Sequence, residues 1–250
     1  MLSKIRSVIN GYRRNLGGLR SARTIQELRK WFASDVGTPS GFGFNGDVIR
    51  TRIVADLFNS VGCTAFIETG TYRAATTVLA KRLLNCKVFS CELSLKSWLF
   101  STIRCLPYSE LFIFRADSRS FLRRMGKHLG PEEIPFIYLD AHWYSDLPLQ
   151  EELDYVATTW AKCVVLVDDY KVPDRPGFKF DRYGDDELCI ERFFIDPKNA
   201  ISGAVTFFPN YDPELETGAR CGYVIFICGT QHRLHSDARR FPLNLLRRFD

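Results

Sequence analysis

The sequence predicts an α/β fold, a mostly parallel sheet buried on both faces with helices packed against each. Three observations carry this. Apolar runs of about five to seven residues alternate with amphipathic stretches of helical period, which is the signature of βαβ units. The runs are apolar throughout, as strands covered on both sides are. Their ends recur about every 25 residues, enough for one strand, one helix and two short turns. No sequence repeat underlies this rhythm.

The elements follow in order. Residues 1 to about 35 have amphipathic helical character, clearest in "TIQELRKWF", and set a segment 1–40 apart from a main domain 41–250. "GTPSGFGFNGD" (37–47) is rich in Gly and Pro and predicts a loop or boundary. The helix "DVIRTRIVADLFNSV" leads to the strand "TAFIETG", and the helix "RAATTVLAKRLL" to the strand "KVFSCEL". "SLKSWLFSTIRCL" precedes "LFIFRADS", "SRSFLRRMGKHL" precedes "IPFIYLDA", and "LPLQEELDYVATTWA" precedes "KCVVLVDDY". Beyond residue 171 the alternation stops. A polar insert, "KVPDRPGFKFDRYGDDE", is followed by a predicted helix, "ELCIERFFI". Two strands, "GAVTFFP" and "CGYVIFICG", are joined by "NYDPELETGAR", a connection short enough for an antiparallel hairpin.

Composition excludes several classes. The 250 residues are 46% hydrophobic, 14% aromatic and 25% charged, with a net charge of +5, as in an ordinary globular protein. No run reaches the ~18 apolar residues that cross a bilayer, so an integral membrane segment is not expected. The N-terminus has no apolar core before a small-residue cleavage site, which argues against a secretory signal. The 8 cysteines show no CxxC and several lie inside apolar strands. They predict free thiols and a reducing, cytoplasmic setting. Basic residues gather at the termini, from Lys4 to Lys30 and from Arg233 to Arg248, and are not interleaved with aromatics, which disfavours nucleic acid as a partner.

The most informative feature is where the acids fall. Each of the first five strands ends in one: Glu68, Glu92, Asp117, Asp140, and the pair Asp168 and Asp169. Ligands of open α/β sheets bind outside those carboxyl ends. A single Asp there ordinarily caps the next helix. A succession makes an acidic rim whose charges need cationic company. The nearest basic residues in sequence are Arg73, Arg115, Arg119 and Lys171. A ligand with a sulfonium, an amine, a ribose and an adenine but no phosphate suits such a rim, and S-adenosylmethionine is that ligand. Glu92 is placed to accept from a ribose diol, Asp117 or Ser118 to meet the adenine amine, and Gly70 to let the backbone approach the methionine part.

On the residues "ETGTYRAATT", the "EL" after strand two and the "RADS" after strand three, positions 45 to 230 resemble the class I S-adenosylmethionine-dependent methyltransferases. The resemblance implies a Rossmann-like seven-stranded sheet of order 3214576 with the last strand antiparallel. It implies cofactor contacts from Glu68, Gly70, Thr71, Tyr72, Glu92, Asp117, Ser118 and Asp140. Tyr72 and Ala74 stand where the family usually has glycines.

Within that family the chain is similar to metal-dependent O-methyltransferases of the catechol and macrocin type. On "YLDAHW" and "VDDY" the likeness implies Mg²⁺ held by Asp140, Asp168 and Asp169. His142 stands where the macrocin type has a second acid, and is expected to act as base beside Asp140. The implied acceptor is a small molecule or saccharide hydroxyl, with self-association left open. Trp143 and Tyr144 are candidate pocket walls, and "GFKFDRYGDDE" and "ETGAR" candidate acceptor loops. His128, His232 and His235 read as surface residues. The competing functions are a non-catalytic binding or assembly protein on this fold, and a metal-dependent oxygenase of the cephalosporin-hydroxylase-like group.

Overall fold

A computed structural model describes residues 42–141, 147–201, 203–229 and 244–249. The segment 1–40, His142, Trp143, Tyr144, His232 and His235 lie outside the described residues.

The predicted alternation is present. Helix α1 (Val48–Val61) buries Arg50, Ile53, Val54, Leu57, Phe58 and Val61, a stripe at helical spacing, and stops at Gly62, whose φ of 74° suits a residue without Cβ. Strand β1 (Ala65–Thr69), helix α2 (Ala75–Leu84) and strand β2 (Lys87–Glu92) follow. Helix α3 (Leu95–Cys105) starts on Ser94, whose hydroxyl accepts from the amide of Ser97. After strand β3 (Leu111–Arg115) comes α4 (Ser118–His128), which Asp117 caps by accepting from the amides of Arg119 and Ser120. Strand β4 (Pro135–Leu139), helix α5 (Leu149–Thr159) and strand β5 (Cys163–Asp168) complete the parallel part.

A two-stranded hairpin, β6 (Arg182–Tyr183) with β7 (Asp186–Glu187), stands in the polar insert. The main sheet ends with β8 (Ala204–Pro209), β9 (Tyr223–Cys228) and β10 (Leu246–Phe249).

The sheet order is β10-β8-β9-β5-β4-β1-β2-β3. Strands β1 to β5 are parallel, and β9 runs antiparallel to both β5 and β8. The expected seven-strand arrangement with its hairpin is therefore there, extended by an eighth strand, β10, antiparallel to β8. The order reverses between β1 and β4, the switch point outside whose carboxyl ends open α/β sheets have their ligand crevice. Strands β1, β4, β5 and β9 are buried along their whole length, so the core lies beneath that switch point.

Two sequence expectations are corrected. "ELCIERFFI" forms turns rather than a helix. Glu187 is held in the β6–β7 pair, and the Phe193 carbonyl accepts the Tyr170 hydroxyl, so both ends are committed elsewhere. Its apolar residues Leu188, Cys189, Phe193 and Ile195 are nevertheless buried. The sheet has eight strands, not seven, because the basic C-terminal stretch adds an edge strand through Arg247 and Arg248. The described part of the Gly-rich loop packs into the core. Phe44 is fully buried, with its ring 5.4 Å from that of Tyr138 and 6.3 Å from that of Phe66.

Candidate functional site

The candidate site at this switch point is built from the turns that leave β1, β2, β4 and β5. Gly70 leaves β1 with φ 84°, and a Cβ there would stand 2.3 Å from the Asp140 carbonyl oxygen. The close crossing of two strand ends makes this position glycine. Tyr72 (φ 45°) and Ala74 (φ 59°) are also left-handed, so the turn keeps a glycine-like path with side chains that oppose it. The amides of Gly70 and Thr71 both donate to the Cys91 carbonyl, at 3.1 and 2.9 Å, fastening the turn to the end of β2.

Glu68 is buried and accepts from the hydroxyls of Thr77 at 2.5 Å and Ser90 at 2.6 Å, with Thr71 hydrogen-bonded to Ser90 in turn. Burial pushes its carboxyl up to about 7 against the opposing effect of the two hydroxyls. Glu92, half-buried at the end of β2, accepts from the amides of Tyr72 and Ser94, each at 2.8 Å. These bonds oppose the upward pull of burial on its carboxyl. The Asp117 carboxylate caps α4, and Ser118 beside it is buried.

Asp140, Asp168 and Asp169 meet at the ends of β4 and β5. Each offers a carboxylate oxygen, all within 4.8 Å of one another. Their situations differ. Asp168 is fully buried and has four donors on its two oxygens. Oδ1 accepts from Arg50 Nη1 and from the Asp169 amide at 2.8 Å; Oδ2 accepts from Asn45 Nδ2 at 2.9 Å and from the Tyr138 hydroxyl. Asp140 is held well above the usual carboxylate range by burial and by the charges of Asp168, Asp169 and Glu68. Asp169 is pushed up to about 7 by burial and by Asp168, with the Cys221 thiol as a partly offsetting donor.

Arg50 is the site residue that sequence reading missed. Its guanidinium is fully buried, pairs with Asp168 and, at 3.2 Å, with Asp47, and lies 4.8 Å from the centre of the Tyr223 ring. The signal was legible: an arginine in register with Ile53, Val54 and Leu57 on an apolar helical stripe must find a buried partner. The basic residues nearest in sequence are occupied differently. Arg73 stacks on the rings of Tyr72 and Phe100, Arg119 pairs with Glu151 at 3.5 Å, and Lys171 pairs with Glu187 at 2.5 Å.

Both candidate acceptor loops border the cluster. The Asp181 amide donates to the Asp169 carbonyl at 2.9 Å, which folds the β6–β7 insert beside it. Glu216, from "ETGAR", is buried and accepts from the amides of Ile49 and Arg50 at 3.0 Å each. It caps α1, where the Asp47 side chain does not. His128 lies 5.5 Å, ring to ring, from Phe89, a packing contact away from the acids.

Among the described residues no helix is long and apolar enough to cross a membrane. All eight cysteines are free, and all but Cys221 are buried. No family model and no curated protein matches the chain.

Solved structures do match. An O-methyltransferase from Bacillus cereus, crystallised with S-adenosylhomocysteine, superposes with a TM-score of 0.51 at 13% identity, over 84% of this chain and 92% of that one. A candidate O-methyltransferase from Klebsiella pneumoniae gives a TM-score of 0.52 at 13% identity, over 72% of this chain and 80% of that one. With the strand order above, the chain has the α/β Rossmann-like fold of the O-methyltransferases.

Proposed function

We propose that the protein is an S-adenosylmethionine-dependent O-methyltransferase (EC 2.1.1.-) acting on a hydroxyl of a small molecule or saccharide. One observation carries this. Glu68, Asp140, Asp168 and Asp169 converge at the switch point of the sheet, and among the described residues the cation paired with that cluster is Arg50, which is committed to Asp168 and Asp47. Burial pushes the remaining carboxyls toward their protonated forms, an effect that a positively charged guest opposes. The Bacillus cereus neighbour was crystallised with S-adenosylhomocysteine, the neutral thioether left when such a guest has given up its methyl group.

In this reading the β1–α2 turn, from Glu68 to Tyr72, faces the methionine part. Glu92 receives the ribose hydroxyls, and the β3–α4 turn at Asp117 and Ser118 meets the adenine. The acceptor oxygen attacks the methyl carbon in line with the departing sulfur. The C–O bond forms as the C–S bond breaks, and the sulfonium leaves as a neutral thioether. His142 takes the acceptor's proton, a role open to an imidazole near neutral pH. Positioning by the surrounding turns supplies most of the acceleration, because little covalent chemistry is left to the protein.

A divalent ion fits the cluster in charge and spacing. Asp140 and Asp169 are its principal holders, and Mg²⁺ is commonly bound by one or two carboxylates with water and substrate oxygens. Asp168 joins only by giving up a donor such as Asn45. When bound, such an ion lowers the pKa of the acceptor hydroxyl.

Calorimetric titration with S-adenosylmethionine tests the proposal, and saturable binding is expected. Asp169→Asn should abolish Mg²⁺-dependent turnover while changing donor affinity by less than about tenfold. Absence of heat from the native protein favours a binding or assembly role instead. Equal loss of donor affinity and turnover in the variant contradicts the metal placement.

A further inference from the structure

Helix α5 buries Leu149, Glu152, Leu153, Val156 and Ala157 along one stripe, so a carboxylate occupies a position where the periodicity calls for an apolar residue. Glu152 is 1% exposed, and neither of its oxygens has a well-formed hydrogen bond among the described residues. A buried carboxyl left this way costs stability unless something else occupies it.

Helix α5 packs on α4, and Arg119 at the start of α4 pairs at 3.5 Å with Glu151, the neighbour of Glu152. The Ser118 hydroxyl is near enough to ease the effect of burial on it. Asp117 and Arg119 act on it from the start of α4, Glu151 from its own helix, and its charge is felt at Cys91 on β2. Glu152 thus joins the carboxyl ends of β2 and β3 to the helix that follows β4.

We propose that Glu152 reads the purine of the methyl donor, accepting a hydrogen bond from its exocyclic amine. This rests on the cofactor reading above and adds a recognition residue to it. Asp117 does not fill the role equally well, since its carboxylate is engaged in capping α4. Ser118 is short, and its hydroxyl lies on the Glu152 side of the turn. Among the described residues Glu152 has the Ser118 hydroxyl beside it and no well-formed hydrogen bond, and an aminopurine edge supplies a donor.

The test compares S-adenosylhomocysteine with the same compound carrying hydrogen in place of the 6-amino group, by calorimetry. The native protein is expected to favour the amino compound by about tenfold or more, the scale of one buried hydrogen bond to a carboxylate. Glu152→Ala should bring that ratio close to one. Glu152→Gln, whose amide oxygen still accepts, should keep most of it. Thermal unfolding of each variant separates folding loss from recognition, and the native ratio needs no variant at all. A native ratio near one, or an unchanged ratio in Glu152→Ala, overturns the assignment while leaving the cofactor reading intact. No binding of either compound removes the cofactor reading, and this inference with it.

Discussion

At the scale of single residues, the site is governed by how each carboxyl is accommodated. Asp168 is matched by four donors, one of them an arginine, whereas Glu68 has two hydroxyls and no cation, and burial raises its carboxyl to about 7. A carboxyl raised in the folded state from 4.5 to about 7 has a definite linkage sign. Between those values the folded protein holds a proton that the unfolded chain has lost, so stability falls as pH rises through this window and levels off above it. The loss is on the order of 3 kcal/mol for such a shift. Glu68→Gln carries no such proton. Its stability relative to the native protein, followed by urea denaturation, should therefore be greater at pH 8 than at pH 5 by on the order of 2 kcal/mol. A pH-independent difference means that Glu68 is ionised when folded.

Arg50 and Glu152 show what residue-level reading loses. Both sit on apolar stripes, and both look like solvated charges when a helix is scanned for its overall pattern rather than position by position.

At the scale of elements, the β1–α2 turn holds the most tension. Three of its residues, Gly70, Tyr72 and Ala74, have positive φ, and only one is glycine. Ala74→Gly removes a left-handed alanine and should stabilise the protein by up to about 1 kcal/mol. Gly70→Ala drives a Cβ into the Asp140 carbonyl and should destabilise by several times that, on the order of 3 kcal/mol, and weaken donor binding. Equilibrium denaturation reads both signs, and a neutral Gly70→Ala contradicts the strand-end crossing.

The helices and strands up to residue 168 were legible because burial on both faces imposes a periodicity that local sequence cannot disguise. The segment after β5 was not. "ELCIERFFI" has the apolar content of a helix, yet Glu187 and Phe193 are held by partners elsewhere in the chain, a tertiary effect that no local pattern carries. Glu216 likewise reads as a loop acid but caps a helix start 166 residues earlier, at Arg50.

At the scale of the whole molecule, the acidic rim is visible in sequence because strand ends are, but its neutralisation is not. That depends on α1 crossing to lay Arg50 against Asp168, and on Asn45 reaching the same carboxylate from the loop before it. The eighth strand, β10, escaped notice because "LRRF" lacks the apolar content of an inner strand. As an edge strand it needs only one buried residue, Leu246.

The central claim is that this crevice receives a cationic methyl donor with a divalent ion beside it. A crystal structure soaked with S-adenosylhomocysteine and Mn²⁺ tests it directly. The account predicts ribose hydroxyls on Glu92, the purine amine at Glu152, and an anomalous peak between Asp140 and Asp169. A crevice that admits neither compound, with Arg50 still paired to Asp168, contradicts it.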